Sequence, residues 1–371
     1  MSERSLPQVA EGAELTVVVP CYNERPNVPV LVERLRAALS GIAWEAVFVD
    51  DNSPDGTADV VRGIATHDAR IRCIRRVGRR GLASAVTEGA LSSSARFVAV
   101  IDGDLQHDET RLPAMLALLR RGDTDLVVAS RYVDGGDSSG LASSYRQGLS
   151  NLGTLVSRAV LPVPLTDPMS GFFMLRREVY DQAAPRLANQ GFKILVDLVL
   201  SVPGKIRVAE VPARFGARLA GESKLDNMVL LEFLGLLLQK LTGGLIPLNF
   251  VGFCLVGAFG VLVQYVVLLV GRRAGLDFSQ AQTVGTIIAM ATNFQLNNSL
   301  TYRYRRLRGA KLFQGWIIFM LVCGLGAVAN IGIARALYAE NSGWNAAGVV
   351  GAAVGAVWNY AVSATLVWRS R

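Results

Sequence analysis

Cysteine is scarce in this chain and histidine scarcer. Four cysteines, Cys21, Cys73, Cys254 and Cys323, stand in 371 residues at spacings that form neither a zinc site nor a disulfide framework. That excludes a stapled secreted scaffold and fits a reducing compartment. His67 and His107 are the two histidines. Met1 to Glu14 is polar and lacks an apolar core, so no secretory signal is expected. Neither a phosphate-binding Gly-x-x-x-x-Gly-Lys loop nor a Gly-x-Gly-x-x-Gly turn follows the first expected strand, which argues against a nucleoside triphosphatase and a dehydrogenase. Acids are fewer than bases, 30 against 38, for a net charge of +8 and a pI near 9.6. Such a surplus suits nucleic acid or a membrane, and its placement beside apolar runs favours the membrane.

Hydrophobic residues make up 51% of the chain and mean hydropathy is +0.34, high for a wholly soluble protein. The excess is uneven. Uncharged runs occupy 245–270, 278–302, 312–334 and 341–368, each longer than the ~20 residues that span a bilayer as a helix. The first ~240 residues contain no such run. The expected organisation is a catalytic-type domain over 1–226, an interfacial amphipathic helix over 227–244 and a membrane domain over 245–371. Four transmembrane helices are expected at about 246–270, 279–301, 312–336 and 345–368. The basic loop Thr301–Lys311 between the second and third is the strongest orientation signal and is expected on the cytoplasmic side. Arg272 and Arg273 oppose it weakly. Four spans then put the N-terminal domain and Arg369–Arg371 on that side too, in a multi-pass plasma-membrane protein. Asn293, Asn297 and Asn298 are expected to face helix partners. Gly351-Ala-Ala-Val-Gly355 offers small-residue packing within one chain or between copies, so a homo-oligomer is open. No charged residue interrupts the runs, which disfavours an ion-coupled transporter.

In the first domain, strands alternate with helices. Leu15–Pro20, Ala46–Asp50, Ile71–Ile74, Phe97–Ile101 and Asp125–Ser130 read as short buried strands, and Pro20 is expected to end the first. A helix with Val30, Leu31, Leu35 and Leu39 as its apolar stripe follows Tyr22-Asn23-Glu24. Such alternation implies an α/β fold with a mostly parallel sheet, which binds ligands at the C-terminal strand edge. Asp50 and Asp51 at one strand end suit ribose hydroxyls or a base edge, and Asp55 is expected to cap the next helix. Gly78-Arg-Arg-Gly81 before a helix suits a phosphate. Asp102-Gly103-Asp104 ends the central strand. Two carboxylates there, with Gln106 as a neutral oxygen donor, can hold a hard divalent cation. An acidic turn before a helix is the plain alternative. Gly103 is expected to permit close backbone approach. Cys21 is read as a bystander thiol. Tyr145–Val160 and Met228–Lys240 are apolar along a broad face. The first reads equally as core or membrane surface, the second as an interfacial helix.

Pro20-x-Tyr-Asn-Glu24, Val49-Asp-Asp-Asn-Ser-Pro-Asp-Gly-Thr57, Asp102-Gly-Asp-Leu-Gln-His107 and Ser130-Arg-Tyr132 occur in this order. With Asp167–Phe173, Gly191–Ile194 and Arg218–Lys224 they resemble the inverting family 2 glycosyltransferases of GT-A fold, specifically the polyprenyl-phosphate (dolichol-phosphate) mannose synthases. The C-terminal part, with Asn293-Phe-Gln-Leu-Asn297, is similar to the GtrA-like four-helix membrane domain. The resemblance implies GDP-mannose or another nucleotide-sugar as donor, polyprenyl phosphate as acceptor, the bilayer as partner and no nucleic acid. It implies Mg²⁺ or Mn²⁺ at Asp102, Asp104 and Gln106. Asp104 and Arg131 would be catalytic. Pro20, Tyr22, Asn23, Glu24, Val49, Asp51, Gly103, Arg131 and Lys193 would join the metal residues on the nucleotide-sugar. Arg131, Arg146, Ser150, Lys193, Arg218, Ser223 and Lys224 would hold the acceptor phosphate. Since that phosphate is already ionised, no general base is required, and His107 is expected to shape the turn or cap the next helix. A glucosyltransferase using a UDP-sugar, and a lipid-linked-sugar flippase or scaffold with an inactive soluble domain, are the competing readings.

Overall fold

A computed structural model describes residues 12–133, 160–188, 193–216, 235–243, 245–339 and 344–369. The chain divides into two compact units, Met1–Lys240 and Leu241–Arg371.

The first unit is an α/β sandwich around a seven-stranded sheet. Its strands are β1 (Leu15–Cys21), β2 (Trp44–Asp50), β3 (Ile71–Arg75), β4 (Phe97–Val100), β5 (Leu126–Ser130), β6 (Phe173–Arg176) and β7 (Val208–Pro212), in the spatial order β3-β2-β1-β4-β6-β5-β7. Every pairing is parallel except those of β6, which runs antiparallel to both β4 and β5. The strands are valine-rich because both faces are covered. Alternation along β1 shows this: Leu15, Val17, Val19 and Cys21 join a core with α1 (Asn27–Ala38), α2 (Thr57–Ala65) and α4 (Leu112–Arg120). Val18 joins the opposite core with α3 (Leu82–Leu91), α5 (Arg177–Ala183) and α6 (Ile194–Ser201).

Two expectations change. β1 continues through Pro20 to Cys21, which pairs with Asp50. Val18 O accepts from Ile101 N on the β4 side and Cys21 O accepts from Asp51 N on the β2 side. Alternation therefore aims Pro20 toward β4, beyond that strand's last residue, where its missing N–H costs no ladder bond. In α1 the buried stripe is Val28, Leu31, Val32 and Leu35, with Leu39 just past the end, while Val30 is 40% exposed. β6 and β7 were not expected from the sequence. β6 is only four residues long, and β7 carries Glu210 within it.

The second unit contains α7 (Leu248–Arg273), α8 (Phe278–Leu296), α9 (Ala310–Ala339) and α10 (Trp344–Leu366). Among the described residues, Asn249–Arg273 and Ala310–Val328 are long and apolar enough to cross a membrane. Asp277 and Gln280 form a reciprocal capping box at the start of α8. α7 and α8 touch where side chains are small: a Cβ on Gly260 would lie 2.3 Å from Asn293 Oδ1. Leu262, Tyr265 and Val266 of α7 are exposed, the inverse of a soluble helix surface.

Gly89 of α3 tests the closeness of the helix–sheet contact. A Cβ there would meet Val18 Cγ1 at 2.5 Å and Val49 Cγ2 at 2.9 Å. Both neighbours are β-branched and stiff. Gly89→Ala is expected to destabilise the first unit by about 1–3 kcal/mol, read by chemical denaturation of the full chain in detergent.

Candidate functional site

The chain order reverses between β1 and β4: β2 and β3 lie on one side of β1, β4 on the other. Open α/β sheets bind ligands in the crevice such a reversal leaves at the carboxyl ends of the strands. Backbone strain collects there. Among the described residues, the non-glycine residues with left-handed backbone are Asn23 (φ 60°), Asn52 (φ 57°) and Leu105 (φ 63°), just beyond β1, β2 and β4. Asparagine tolerates that region, whereas leucine does not.

On the β1–β2 side the acids organise protein. Asp50 is fully buried and accepts from Ser53 N at 3.0 Å and from the Ser53 hydroxyl. Both its oxygens are turned inward, so it cannot serve a ribose. Asp51 accepts from Arg76 Nη1 at 2.6 Å and from Gly81 N at 2.7 Å. Burial raises its carboxyl above the ordinary value, against the opposing pull of the Gly81 N–H and Arg76. Arg76, 2% exposed, also reaches Ser84 Oγ at 2.6 Å. Asp51 therefore anchors the Gly78–Gly81 loop, whose Arg80 lies 4.7 Å over the Tyr22 ring and 3.2 Å from its hydroxyl. Asp55 accepts from Thr57 N and also from Arg25 N, tying the start of α2 to the loop after β1. Glu24 accepts from Asn27 Nδ2 at 2.6 Å, and Asn23 N donates to Ser53 Oγ. The Val49 side chain is buried in the core against α3, so it supports the site from beneath and does not line it.

Past β4, Asp102, Gly103, Asp104, Leu105, Gln106 and His107 form a tight turn. Asp104 is 8% exposed and accepts from Gln106 N at 3.3 Å. Gln106 Nε2 donates to Gly216 O at 3.0 Å, which leaves Oε1 as the atom able to meet a cation. His107 Nε2 lies 3.3 Å from Asp102 Oδ2, and its ring packs 5.5 Å from Phe172 and 5.3 Å from Phe215. His107 thus orients Asp102. The residue that caps the following turn is Asp108, which accepts from Thr110 N. Gly103 is less demanding than expected, since a Cβ there would touch Cys21 Sγ at an ordinary 3.4 Å. The tighter glycine is Gly171, where a Cβ would fall against Asp102 Oδ2 and the carboxylate would have to move. Two hard carboxylates and a neutral oxygen, in a wall cut back at Gly171, fit a divalent cation. A groove of about 320 Å³ beside this turn is lined by Leu105, Gln106, His107 and Arg214 among others.

Beyond β5 the site turns basic. Arg131 binds Asp167 bidentately, Nε to Oδ2 at 2.7 Å and Nη2 to Oδ1 at 2.8 Å, and its guanidinium lies over Phe215 and Tyr132. Asp167 has no exposed surface. Its segment is clamped by Glu210 of β7, which accepts from Thr166 N, Thr166 Oγ1 and Asp167 N. Lys193 stands at the start of α6. Burial, with help from Arg131, pushes its amine down to about 8, while Asp167 and Asp102 pull the other way. Arg146, Ser150, Arg218, Ser223 and Lys224 lie outside the described residues, as does half of the expected interfacial helix, 227–234 and 244.

Sequence reasoning missed Asp167 as Arg131's partner, Arg76 as Asp51's, and Glu210, Phe215 and Gly171. Arg76 follows β3 at the binding edge and was findable by the strand-end rule. The others come from distant segments. Removing one partner of the Arg131–Asp167 pair strands a buried charge. Arg131→Ala and Asp167→Ala are each expected to cost about 3–5 kcal/mol. An Arg131→Met/Asp167→Leu double variant should lose clearly less than the sum, in denaturation of the full chain.

Comparison with known proteins follows the same division. Residues 16–183 match the model for glycosyl transferase family 2, and residues 252–368 match that for the GtrA/DPMS transmembrane domain. A dolichol-phosphate mannosyltransferase of Pyrococcus furiosus is 34% identical over 85% of this chain and 88% of its own length. One from Saccharomyces cerevisiae is 35% identical over 60% of this chain and 84% of its own. Among solved structures, glucosyl-3-phosphoglycerate synthase from Mycobacterium tuberculosis, in complex with Mn²⁺, UDP-glucose and phosphoglyceric acid, is 20% identical. It has a TM-score of 0.49 and covers 62% of this chain and 80% of that one. This chain belongs to the dolichol-phosphate mannosyltransferase family, as a family 2 glycosyltransferase enzyme with a GtrA/DPMS transmembrane domain.

Proposed function

We propose that the protein transfers mannose from GDP-mannose to a polyprenyl phosphate at the cytoplasmic face of the membrane, inverting the anomeric carbon, with Mg²⁺ or Mn²⁺ at Asp102, Asp104 and Gln106. The observation that carries this reading is that two opposite charge sets stand at one sheet edge, at strand ends on either side of β6. Asp102 and Asp104 follow β4 and Arg131 follows β5, and His107, which holds Asp102, packs on the same Phe215 ring as Arg131. A nucleoside diphosphate-sugar and a lipid phosphate are both polyanions, and a site for both requires cations from more than one source.

The acceptor phosphate is itself the nucleophile, so this chain's task is positioning and charge stabilisation. Arg131 gives Nε and Nη2 to Asp167, which fixes its guanidinium plane with Nη1 outside that pair. Lys193 adds a second cation at the start of α6. His107 holds Asp102, and the Gly78–Gly81 loop with Tyr22 closes the nucleoside side. A divalent ion bound at the Asp-Gly-Asp turn would neutralise charge on the departing nucleoside diphosphate. Pro20, Asn23, Glu24 and Gly103 complete the donor side in this reading, and Val49 acts from the core. Resemblance to the family supports acceptor roles for Arg146, Ser150, Arg218, Ser223 and Lys224. The basic turn between α8 and α9 supports the cytoplasmic orientation.

Asp104→Asn preserves shape and removes a charge, so mannosyl transfer to a short polyprenyl phosphate should fall about 100-fold or more, with melting temperature little changed. Chelator should silence the wild type, and Mg²⁺ or Mn²⁺ restore it. Full activity under both treatments would remove the metal from the mechanism. A panel of GDP- and UDP-sugars in the same assay identifies the donor, with GDP-mannose expected to be used best. For topology, a single cysteine placed beside Arg306 should resist a membrane-impermeant label applied to intact cells. Labelling from outside would reverse the assigned orientation.

A further inference from the structure

Charge in this protein is sharply partitioned. Leu241–Arg371 contains ten of the 38 lysines and arginines but only two of the 30 acids, so it carries the entire surplus of eight. The two acids, Asp277 and Glu340, precede α8 and follow α9 in the chain. Five exposed cations gather instead where α8 passes into α9 and where α10 ends: Arg305, Arg306, Arg308, Lys311 and Arg369. Among the described residues no carboxylate pairs with any of them, and α9 opens without an acidic residue in its first turn.

A basic loop is ordinarily a mobile one, but this turn is pinned. Asn298 lies in the π turn Asn297–Thr301 that ends α8 and is 1% exposed. Its amide reads the Leu307 peptide on both sides, accepting from Leu307 N at 2.8 Å and donating to Leu307 O at 3.2 Å. Trp368 Nε1 donates to the same Asn298 oxygen at 3.2 Å. Tyr302 stacks on Trp368, 4.2 Å between centroids and 6° between planes. Leu307 is seated against Gly315, where any Cβ would collide with it. Arg306 and Arg308 therefore flank a locked residue, and the stack holds Trp368, the residue before Arg369, against the same turn. Like charges held together repel, and a shared anion relieves that repulsion. Phe313 and Trp316 stack on each other in the first turns of α9, whose Phe313, Ile317 and Leu321 are exposed. Aromatic rings beside an apolar helix surface mark the headgroup level of a bilayer.

We propose that this turn is a preorganised receptor for lipids whose headgroup is a net-anionic phosphate, with Arg305, Arg306 and Arg308 as its forks and Lys311 and Arg369 at its rim. Arginine suits the task because its planar fork pairs phosphate oxygens bidentately and is weakly hydrated. A pinned backbone reduces the ordering cost of each contact. The second unit then recruits phosphate-bearing lipid in addition to anchoring the chain. This binding is independent of the transfer reaction.

The test uses the full chain in a neutral detergent and measures dissociation constants for dihexanoyl phosphatidylglycerol, dihexanoyl phosphatidylcholine and inorganic phosphate. The wild type should prefer phosphatidylglycerol, with affinity falling as ionic strength rises. Arg305→Gln/Arg306→Gln/Arg308→Gln should weaken that binding about 10- to 100-fold, and the corresponding triple lysine variant should retain most of it. Asn298→Ala keeps every charge and frees the turn, so it should produce an intermediate loss. Equal affinity in the triple glutamine variant, or equal binding of phosphatidylcholine, would overturn the proposal. Displacement by inorganic phosphate at the lipid's own concentration would reassign the site to free phosphate and overturn the lipid receptor. An unchanged Asn298→Ala variant would show that bare charge, without the pinned turn, accounts for binding.

Discussion

Burying a charge is costly unless its partner is placed to match, and the Arg131–Asp167 pair shows how far that constraint reaches. Asp167 has no exposed surface and gives both oxygens to one guanidinium. The carboxylate can hold that geometry because Glu210 on β7 clamps the backbone at Thr166 and Asp167, while Ser170 Oγ reaches back to Ala129 O on β5. Next to Ser170, Gly171 leaves room for Asp102. A single desolvated ion pair thus sets the separation between the acidic turn after β4 and the cations after β5. Such a pair adds little net stability, and its value lies in the arrangement it specifies.

The opposite edge of the crevice follows the same logic with a different pair. Asp51 and Arg76 are buried together, and the Asp51 carboxylate also takes the Gly81 N–H. This fixes the glycine-bounded loop that carries Arg80 to Tyr22. The acids after β2 have protein partners, Ser53 for Asp50 and Arg76 with Gly81 for Asp51, whereas Asp102 after β4, with its side chain 34% exposed, faces the crevice. Position relative to the β1–β4 reversal, and not residue type, separates the two roles.

In the second unit polar side chains work against an apolar background. Asn298 satisfies the Leu307 peptide and the Trp368 indole together, where an unmet peptide group would be expensive. The consequence is a backbone turn tied down at Leu307, between the exposed Arg306 and Arg308. Glycines at 260 and 315 supply the room for Asn293 and Leu307.

Much was legible from residue order. Strand runs of valine, the change from soluble to apolar composition near residue 240 and the Asp102-Gly-Asp104 turn all depend on local pattern, and local pattern follows from burial of apolar surface. The motif order identified the glycosyltransferase family as well. What the sequence did not contain was partnership. Asp50 and Asp51 are neighbours with similar chemistry, yet one faces Ser53 and the other Arg76. Gly103 adjoins the acids, yet Gly171 is the glycine that Asp102 needs. β6 is too short to declare itself, and its reversed direction emerges only when β4 and β5 close around it. Contacts between distant segments are decided by the packing of the whole sheet, because only there does desolvation force each buried charge to one partner. Residue order determined which groups were available, and the tertiary fold decided which of them face the crevice.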